Sequence, residues 1–351
     1  MFELSLTKQN LLSHEYFHTL VHQSELSDFC LSNNRLFSPL ALQNAQPSAV
    51  LWPEVDELAG LKKLIVFAEG LHIQQLLDLS QALNECLTVH LFKIIKVQGV
   101  TGFAVCAYIT PHIDELLKAQ IEKASDQFSV ELCLINNPPT LSEPGLLLMD
   151  MDSTVIAVEC IDEIAALAGV GDKVSKVTEQ AMQGKLDFAD SLRSRVACLA
   201  GANADILQQV RNALPLMPGV ANLVHILQQH HWKVAIASGG FSYFADYLKD
   251  RLNLDAAFAN GLEINNGQLT GEVEGPIVDA KVKAQTLKTL TEKWSISTTQ
   301  TIAMGDGAND LLMLNAAALG VALHAKPIVR QQADIAIQRS TLDTLLWVLN
   351  A

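Results

Sequence analysis

The spacing of apolar and polar positions from residue 62 onward predicts a small α+β domain. Short apolar or alternating runs suit strands, and leucines at helical spacing suit a helix over 71–86. The predicted strands lie at 64–68, 89–97, 102–109 and 128–135, and a second predicted helix lies at 111–124. The order β-α-β-β-α-β is typical of a ferredoxin-like domain, which we expect over residues 61–137.

A second pattern begins after Asn136-Asn137-Pro138-Pro139, where residues 138–145 suit a linker. Continuous apolar runs at 146–149, 234–237 and 301–304 predict buried parallel strands, separated by helical stretches. This alternation predicts a doubly wound, Rossmann-like α/β domain over residues 146–351. A mostly helical insertion, expected at about 165–212, interrupts it as a cap, and Asn266-Gly267 predicts a hairpin.

The first 60 residues carry no chemical motif and have no clear role. Residues 10–31 suit a helix, whereas residues 36–53 are rich in Pro, Gln and Ala and suit an irregular segment.

Composition narrows the classes of partner. Of the 351 residues 49% are hydrophobic, and the formal net charge of −14 disfavours nucleic acid as a partner. No stretch approaches the ~20 apolar residues of a membrane helix, and the start of the chain does not resemble a signal peptide. The scattered cysteines favour reduced thiols. We therefore expect a soluble, cytoplasmic protein without nucleic-acid or membrane partners.

Polar motifs follow the three apolar runs, at the strand ends that line the ligand crevice of an open α/β sheet. Asp150 and Asp152 follow the first run. Two close carboxylates suit a cation or proton transfer, although a polar turn also explains them. Ser238, Gly239 and Gly240 follow the second run and suit either a phosphate cradle or a tight turn.

The third run is followed by G-D-G-A-N-D, which contains Asp306, Asn309 and Asp310. Acids around two glycines suit Mg²⁺, and an Asp-Gly turn with a helix cap is the alternative. Lys283 should lie near the start of the helix before this strand, where it could reach phosphate oxygens. A solvated surface lysine is the alternative for this position.

Together these motifs, in this order, resemble the haloacid dehalogenase-like superfamily over about residues 146–350. The finer pattern resembles the phosphoserine phosphatase family, through V-I-A-V-E-C, L-D-F-A-D-S-L-R-S-R-V, A-S-G-G-F and the final A-K-P. The resemblance implies Mg²⁺-dependent hydrolysis of O-phospho-L-serine, the last step of serine biosynthesis, through a phospho-aspartate.

The resemblance also implies a role for each residue. Asp150 is the nucleophile, and Asp152 is the acid that protonates the leaving alkoxide and then activates water. Asp150, the backbone carbonyl of Asp152 and Asp306 hold the magnesium ion, with Asp310 supporting that shell. The phosphate is bound by Ser238, Gly239, Lys283 and Asn309, with Lys281 a less well-spaced rival to Lys283.

Further residues correspond to the recognition of an amino acid. Glu159 resembles the acid that binds the ammonium group, and Arg195 the arginine that binds the carboxylate. Met182 and Phe188 resemble the apolar lining of the cap. A phosphatase for another small phosphomonoester, or a phosphotransferase to an alcohol, would share the same first half-reaction.

The predicted ferredoxin-like domain resembles ACT domains, which often bind amino acids and pair between subunits. It therefore suggests an amino-acid-sensing module and a homodimer, while a structural or dimerising domain without a ligand is the alternative.

Overall fold

The computed structural model describes residues 28–32, 35–37, 60–112, 114–182 and 187–351. The chain divides into two units, Met1–Pro138 together with Thr344–Ala351, and Pro139–Asp343. Most of residues 1–60 lies outside the described residues, including residues 38–53 of the irregular segment expected at 36–53. Residues 36–37 of that segment are extended and lie in a strand, so the expectation is wrong there.

The first unit is built around an antiparallel sheet with the strand order β2-β1-β4-β5-β3-β6. Its core strands and helices follow one another as β-α-β-β-α-β. The elements are β1 Asp28–Ser32, β2 Arg35–Phe37, β3 Lys62–Phe67, α1 Ile73–Ala82, β4 Leu87–Ile95, β5 Ala104–Pro111, α2 Asp114–Phe128 and β6 Glu131–Ile135.

Strand β1 corrects one expectation, because residues 28–31 are extended and the predicted helix over 10–31 is wrong there. Phe29 pairs with Phe92 of β4, and Cys30 pairs with Phe37 of β2. Strand pairing of this kind overrides local helix propensity. Residues 10–27 of the same prediction lie outside the described residues.

The second unit alternates strands and helices, with several successive helices between its first two strands. Its elements are β7 Leu146–Met149, α3 Cys160–Leu167, α4 Gly171–Met182, α5 Phe188–Ala197, α6 Asp205–Ala213, α7 Val220–Gln229, β8 Lys233–Phe241, α8 Ser242–Leu252, β9 Ala256–Asn265, β10 Gln268–Glu274, α9 Ala280–Lys293, β11 Thr301–Gly305, α10 Leu311–Ala316, β12 Leu319–Leu323, α11 Pro327–Gln332 and β13 Ile335–Ile337. The last helix of the chain, α12 Leu345–Leu349, belongs to the first unit.

The sheet of the second unit has the order β10-β9-β8-β7-β11-β12-β13, with parallel pairing from β9 through β13. After β7 the chain builds the β8 side first and the β11 side later, so the strand order reverses at β7. All four residues of β7 are 0% exposed. Burying each such side chain contributes about 1.5–3 kcal/mol, so the centre of this sheet is firmly held. Polar groups that follow β7 are therefore placed at a topological switch point.

The predicted hairpin is confirmed. Strands β9 and β10 are antiparallel, and Asn266 and Gly267 between them have φ values of 49° and 75°. Two successive positive φ angles define the type I′ turn that matches the twist of its flanking strands.

Every helix among the described residues is too short or too polar to span a bilayer. Cys86, Cys106, Cys160 and Cys198 are not in disulfide bonds.

Candidate active site

Asp150 follows directly on β7 and is only 5% exposed. Its amide donates to the carbonyl of Met304 in β11, at 2.9 Å. One carboxylate oxygen, Oδ1, accepts the amide of Met151 at 2.7 Å. Oδ2 lies 2.8 Å from Nζ of Lys283. The carboxylate is thus held at the end of the central strand by two donors.

Lys283 lies behind this carboxylate on α9 and is 0% exposed. Its ammonium also lies 2.7 Å from Oδ1 of Asp310. Burial by itself lowers the pKa of Lys283, but the charges of Asp150 and Asp310 outweigh burial and raise the pKa above the usual lysine value. The interpretation of Lys283 as a solvated surface lysine is wrong, whereas its rival Lys281 is exposed.

Asp152 reaches the same cleft through a turn rather than through a continued strand. The carbonyl of Met151 accepts the amides of Thr154, Val155 and Ile156, and Ser153 has a φ of 56°. The amide of Cys160 donates weakly to Oδ1 of Asp152, at 3.4 Å. Burial, with the nearby charges of Glu159 and Asp150, raises the pKa of Asp152 to about 8. This carboxyl is therefore suited to carry a proton at neutral pH.

The motif after β8 approaches Asp152 closely. A Cβ on Gly240 would lie 2.7 Å from Oδ2 of Asp152, so only glycine leaves the required space. The amide of Gly240 donates to Oγ of Ser238 at 2.9 Å, and Ser238 is buried. Because that hydroxyl accepts this bond, its own hydrogen remains available to an anion. Helix α8 begins only at Ser242, so the glycines belong to the end of the strand and do not open the helix.

A group of three carboxylates fits a divalent cation. Oxygen atoms of Asp150, Asp306 and Asp310 lie within 4.8 Å of one another. Carboxylate oxygens in a small cluster are the donors that Mg²⁺ prefers. Burial and the charge of Asp150 raise the pKa of Asp306 to about 6 and that of Asp310 to about 7. A bound cation would favour the ionised forms of both groups.

The oxygens of Asp310 are already engaged. Oδ1 accepts from Lys283, and Oδ2 accepts from the amide of Gly307 at 3.0 Å. Asp310 is also 0% exposed, whereas Asp306 lines the cleft. The geometry therefore suits a supporting position for Asp310 and a direct one for Asp306.

The helical insertion contributes the opposite wall of the cleft. Glu159 precedes α3, and its Oε1 accepts the hydroxyl of Ser153 at 2.8 Å. Burial raises the pKa of Glu159. Arg195 lies in the last turn of α5, and its buried Nε has no hydrogen-bond partner among the described residues. The ring of Phe188 packs on Gly239. An unpaired guanidinium donor here is available to an anionic ligand.

These groups share one cleft of about 310 Å³. Its lining includes most of the candidate residues: Asp150, Asp152, Glu159, Phe188, Arg195, Ser238, Gly239, Asp306 and Asn309. Lys283 and Asp310 lie behind Asp150 rather than in the lining. Met182 is the last residue of α4, and its side chain is not among those described, so its role stays a prediction.

Comparisons with known proteins agree with this geometry. The family model for haloacid dehalogenase-like hydrolases matches residues 145–318. A phosphoserine phosphatase of Haemophilus influenzae is 53% identical over 247 residues, which cover 69% of this chain and 79% of that protein. The chain belongs to the phosphoserine phosphatase family of haloacid dehalogenase-like hydrolases. The predicted family and the α/β fold class of the second unit are therefore confirmed.

Two solved structures of the family extend the comparison. An unliganded probable phosphoserine phosphatase from Vibrio cholerae is 43% identical, with a TM-score of 0.71, and the match covers 83% of this chain and 87% of that one. A phospho-aspartyl intermediate analogue of a phosphoserine phosphatase is 38% identical, with a TM-score of 0.56, and the match covers 59% of this chain and 99% of that one.

Some cleft residues were not identified from the sequence. Ile161 of α3 and Leu192 of α5 add apolar lining, and Lys326 adds a cation shortly after the end of β12. Lys326 belongs to the A-K-P segment, for which the family resemblance implies no residue role. The sequence signal for Lys326 is the apolar run 319–323 shortly before it, because ligands bind at strand carboxyl ends, but the position of this strand beside β11 is visible only in the folded sheet.

Proposed function

We propose that this phosphatase hydrolyses O-phospho-L-serine to L-serine and phosphate, with Asp150 as the nucleophile, as the last step of serine biosynthesis. The observation that carries the proposal is the shared cleft of Asp150, Asp152, Glu159 and Arg195. The cleft combines groups that suit a phosphate with a carboxylate and a guanidinium that suit the two charges of an amino acid. A solved family structure with bound substrate is 38% identical to this chain.

In the first step an oxygen of the Asp150 carboxylate attacks phosphorus, and the bond between phosphorus and the serine oxygen breaks. Lys283 lies 2.8 Å from Asp150 and offsets the repulsion between the carboxylate and the phosphate. Ser238, Gly239 and Asn309 contact the phosphoryl oxygens. Splitting the hydrolysis through a covalent intermediate makes each step easier.

Asp152 transfers the proton in both steps. Because its pKa is raised to about 8, its carboxyl is protonated at neutral pH and can donate to the departing serine oxygen. The resulting carboxylate then takes a proton from water, whose oxygen attacks phosphorus. The bond between phosphorus and Asp150 breaks, releasing phosphate and regenerating both side chains.

We propose that Asp150, the backbone carbonyl of Asp152 and Asp306 hold Mg²⁺, with Asp310 in a supporting position. The clustered carboxylate oxygens support this assignment. When bound, the ion would withdraw charge from the phosphoryl oxygens.

Glu159 and Arg195 supply the proposed selectivity for an amino acid. The Glu159 carboxylate would bind the ammonium group, and the guanidinium of Arg195 would bind the carboxylate. Phe188 and Met182 would supply the apolar lining of the cap. A phosphocholine or sugar phosphate would leave the charge of Arg195 unpaired, which disfavours such substrates.

The test measures phosphate release from a panel of phosphomonoesters with Mg²⁺. Wild type should prefer phosphoserine, and Asp150→Asn should lose activity by at least about 10⁴-fold, as expected for loss of a covalent nucleophile. Asp172→Asn, a control that removes an exposed carboxylate from α4, should retain full activity. No phosphate from phosphoserine would reject the substrate, and an active Asp150→Asn variant would reject the mechanism.

The first unit supports two further proposals. We infer that it is ACT-like, because its β-α-β-β-α-β order suits such a domain, and that it pairs in a homodimer. Serine should then raise the melting temperature of the protein, and sedimentation should give twice the mass of one chain.

We also propose a cytoplasmic location, which the thiols of Cys106 and Cys160 favour.

A further inference from the structure

The cleft presents an electrostatic problem to an anionic substrate. Its lining contains three carboxylates, Asp150, Glu159 and Asp306, besides the protonated carboxyl of Asp152. The whole chain carries a formal net charge of −14. A phosphomonoester is itself an anion, so long-range repulsion opposes its approach unless a cation faces the solvent.

Lys283 is poorly placed to attract a phosphomonoester that is still outside the cleft. Its ammonium is buried, and it is shared by the carboxylates of Asp150 and Asp310 at 2.8 and 2.7 Å. Two paired negative charges cancel its field at a distance. Lys283 can therefore act on a phosphate only after that phosphate has entered the cleft.

Among the described residues that line the cleft, the other cations are Arg195 and Lys326. Arg195 belongs to the helical insertion, on the side proposed to bind the amino-acid carboxylate. Lys326 belongs to the sheet side, and it lines the cleft together with Asp306, Gly307 and Asn309. It is thus the cation on the same side as the phosphate-binding motifs.

The backbone of Lys326 is held by hydrogen bonds, whereas its side chain makes no ion pair with the described residues. Its carbonyl accepts the amides of Val329 and Arg330, and Pro327 begins α11 directly after it. The side chain is exposed. Across the described ranges of the chain, no carboxylate lies within ion-pair distance of its ammonium. The charge of Lys326 is therefore neither paired nor needed to hold the fold.

We propose that Lys326 captures the phosphate group at the entrance of the cleft and offsets the acidic lining during substrate entry and phosphate departure. This inference rests on the proposed phosphatase function. It assigns Lys326 to association rather than to the chemical steps, which Lys283 and Asp152 serve. Its contribution should therefore appear in kcat/KM and depend on ionic strength.

The first experiment compares wild type, Lys326→Gln and Lys326→Arg with phosphoserine and Mg²⁺ at low and high salt. At low salt Lys326→Gln should lose about three- to tenfold in kcat/KM with kcat within about twofold, and the difference should shrink at high salt. Lys326→Arg should retain most of the wild-type value. Lys288→Gln removes an exposed charge from α9 outside the cleft and should behave as wild type.

The second experiment measures binding of inorganic phosphate to the same proteins by calorimetry with Mg²⁺. Lys326→Gln should bind phosphate more weakly, and its affinity should vary less with salt. This measurement tests the inference even if phosphoserine is not the substrate. The inference is overturned if Lys326→Gln keeps the wild-type phosphate affinity and salt dependence, or if Lys288→Gln causes an equal loss.

Discussion

The ring of Phe188 lies against the backbone of Gly239, so that a Cβ on residue 239 would fall 2.5 Å from Cζ of the ring. Phe188 begins a helix of the insertion, and Gly239 lies at the end of a core strand. This contact brings the wall that carries Arg195 against the wall that carries Asp150. Glycine is required at position 239 because a side chain would displace the ring.

A Gly239→Ala substitution should therefore separate the two walls of the cleft. Overpacking of this kind costs about 1–3 kcal/mol. Because the strain falls on the contact that closes the cleft, the same free energy corresponds to a loss of roughly 5- to 150-fold in kcat/KM. Gly171→Ala is a matched control at the start of α4, where a new Cβ would have no atom closer than 4.0 Å. Steady-state kinetics with phosphoserine measures both. Equal activity in the two variants would show that Phe188 tolerates displacement.

Lys283 neutralises two buried carboxylates, and its removal should cost stability as well as activity. Lys283→Met leaves Asp150 and Asp310 without their shared cation, and breaking a buried pair costs about 3–5 kcal/mol. Chemical denaturation of the metal-free protein measures this loss. Lys281→Met, which removes an exposed charge two residues earlier, should change the free energy of unfolding by less than about 0.5 kcal/mol.

The double variant Lys283→Met/Asp310→Asn tests the cause of that loss. If unpaired charge is responsible, the second substitution should restore part of the stability while activity stays low. Equal losses in the single and double variants would instead point to packing.

The metal-free protein should become less stable as the pH rises, because its folded state keeps protons on active-site acids that the unfolded chain has already released. The pKa values of Asp152, Asp306 and Asp310 are raised to about 8, 6 and 7, above the unfolded value near ~3.9. Between about pH 4 and pH 8 the folded protein therefore binds more protons than the unfolded chain, and the free energy of unfolding falls with pH.

Denaturation in EDTA across that range measures the slope, and Asp306→Asn should reduce it between about pH 4 and pH 6. Asp250→Asn, which removes a carboxylate that is 81% exposed, should keep the wild-type slope. Mg²⁺ should stabilise the wild type more at pH 8 than at pH 5, because protons compete with the cation. Stabilisation by Mg²⁺ that is independent of pH would contradict this coupling.

The last eight residues should stabilise the first unit, to which they belong. Trp347 of α12 packs on Phe67 of β3 with ring centroids 5.3 Å apart, and Nζ of Lys63 donates to the carbonyl of Ala351 at 2.9 Å. Ending the chain at Asp343 should therefore reduce amide protection in β3, measured by hydrogen exchange. Asn350→Ala, which loses one hydrogen bond to the carbonyl of Lys96, should have a much smaller effect. Unchanged protection of β3 in the shortened chain would contradict the assignment.

The sequence by itself determined the three central strands β7, β8 and β11 of the second unit and the motifs that follow them. Leu146–Met149 was predicted to the residue, because a run buried on both faces has no competing pattern. Asn266-Gly267 specified its hairpin through local backbone preference alone. Motif order was sufficient to indicate the family and to name Asp150, Asp152, Ser238 and Asp306.

The tertiary structure decided what depends on contacts between distant residues. It buried Lys283 between Asp150 and Asp310 while leaving Lys281 exposed, a difference that two lysines in K-V-K cannot reveal. It turned residues 28–31 into a strand by pairing Asp28 and Phe29 with β4, and Cys30 and Leu31 with β2. It also placed Lys326 in the cleft, because the position of β12 beside β11 is a property of the sheet. Local pattern fixes an element and its motif, whereas charge pairing, burial and neighbours arise only when the chain has folded.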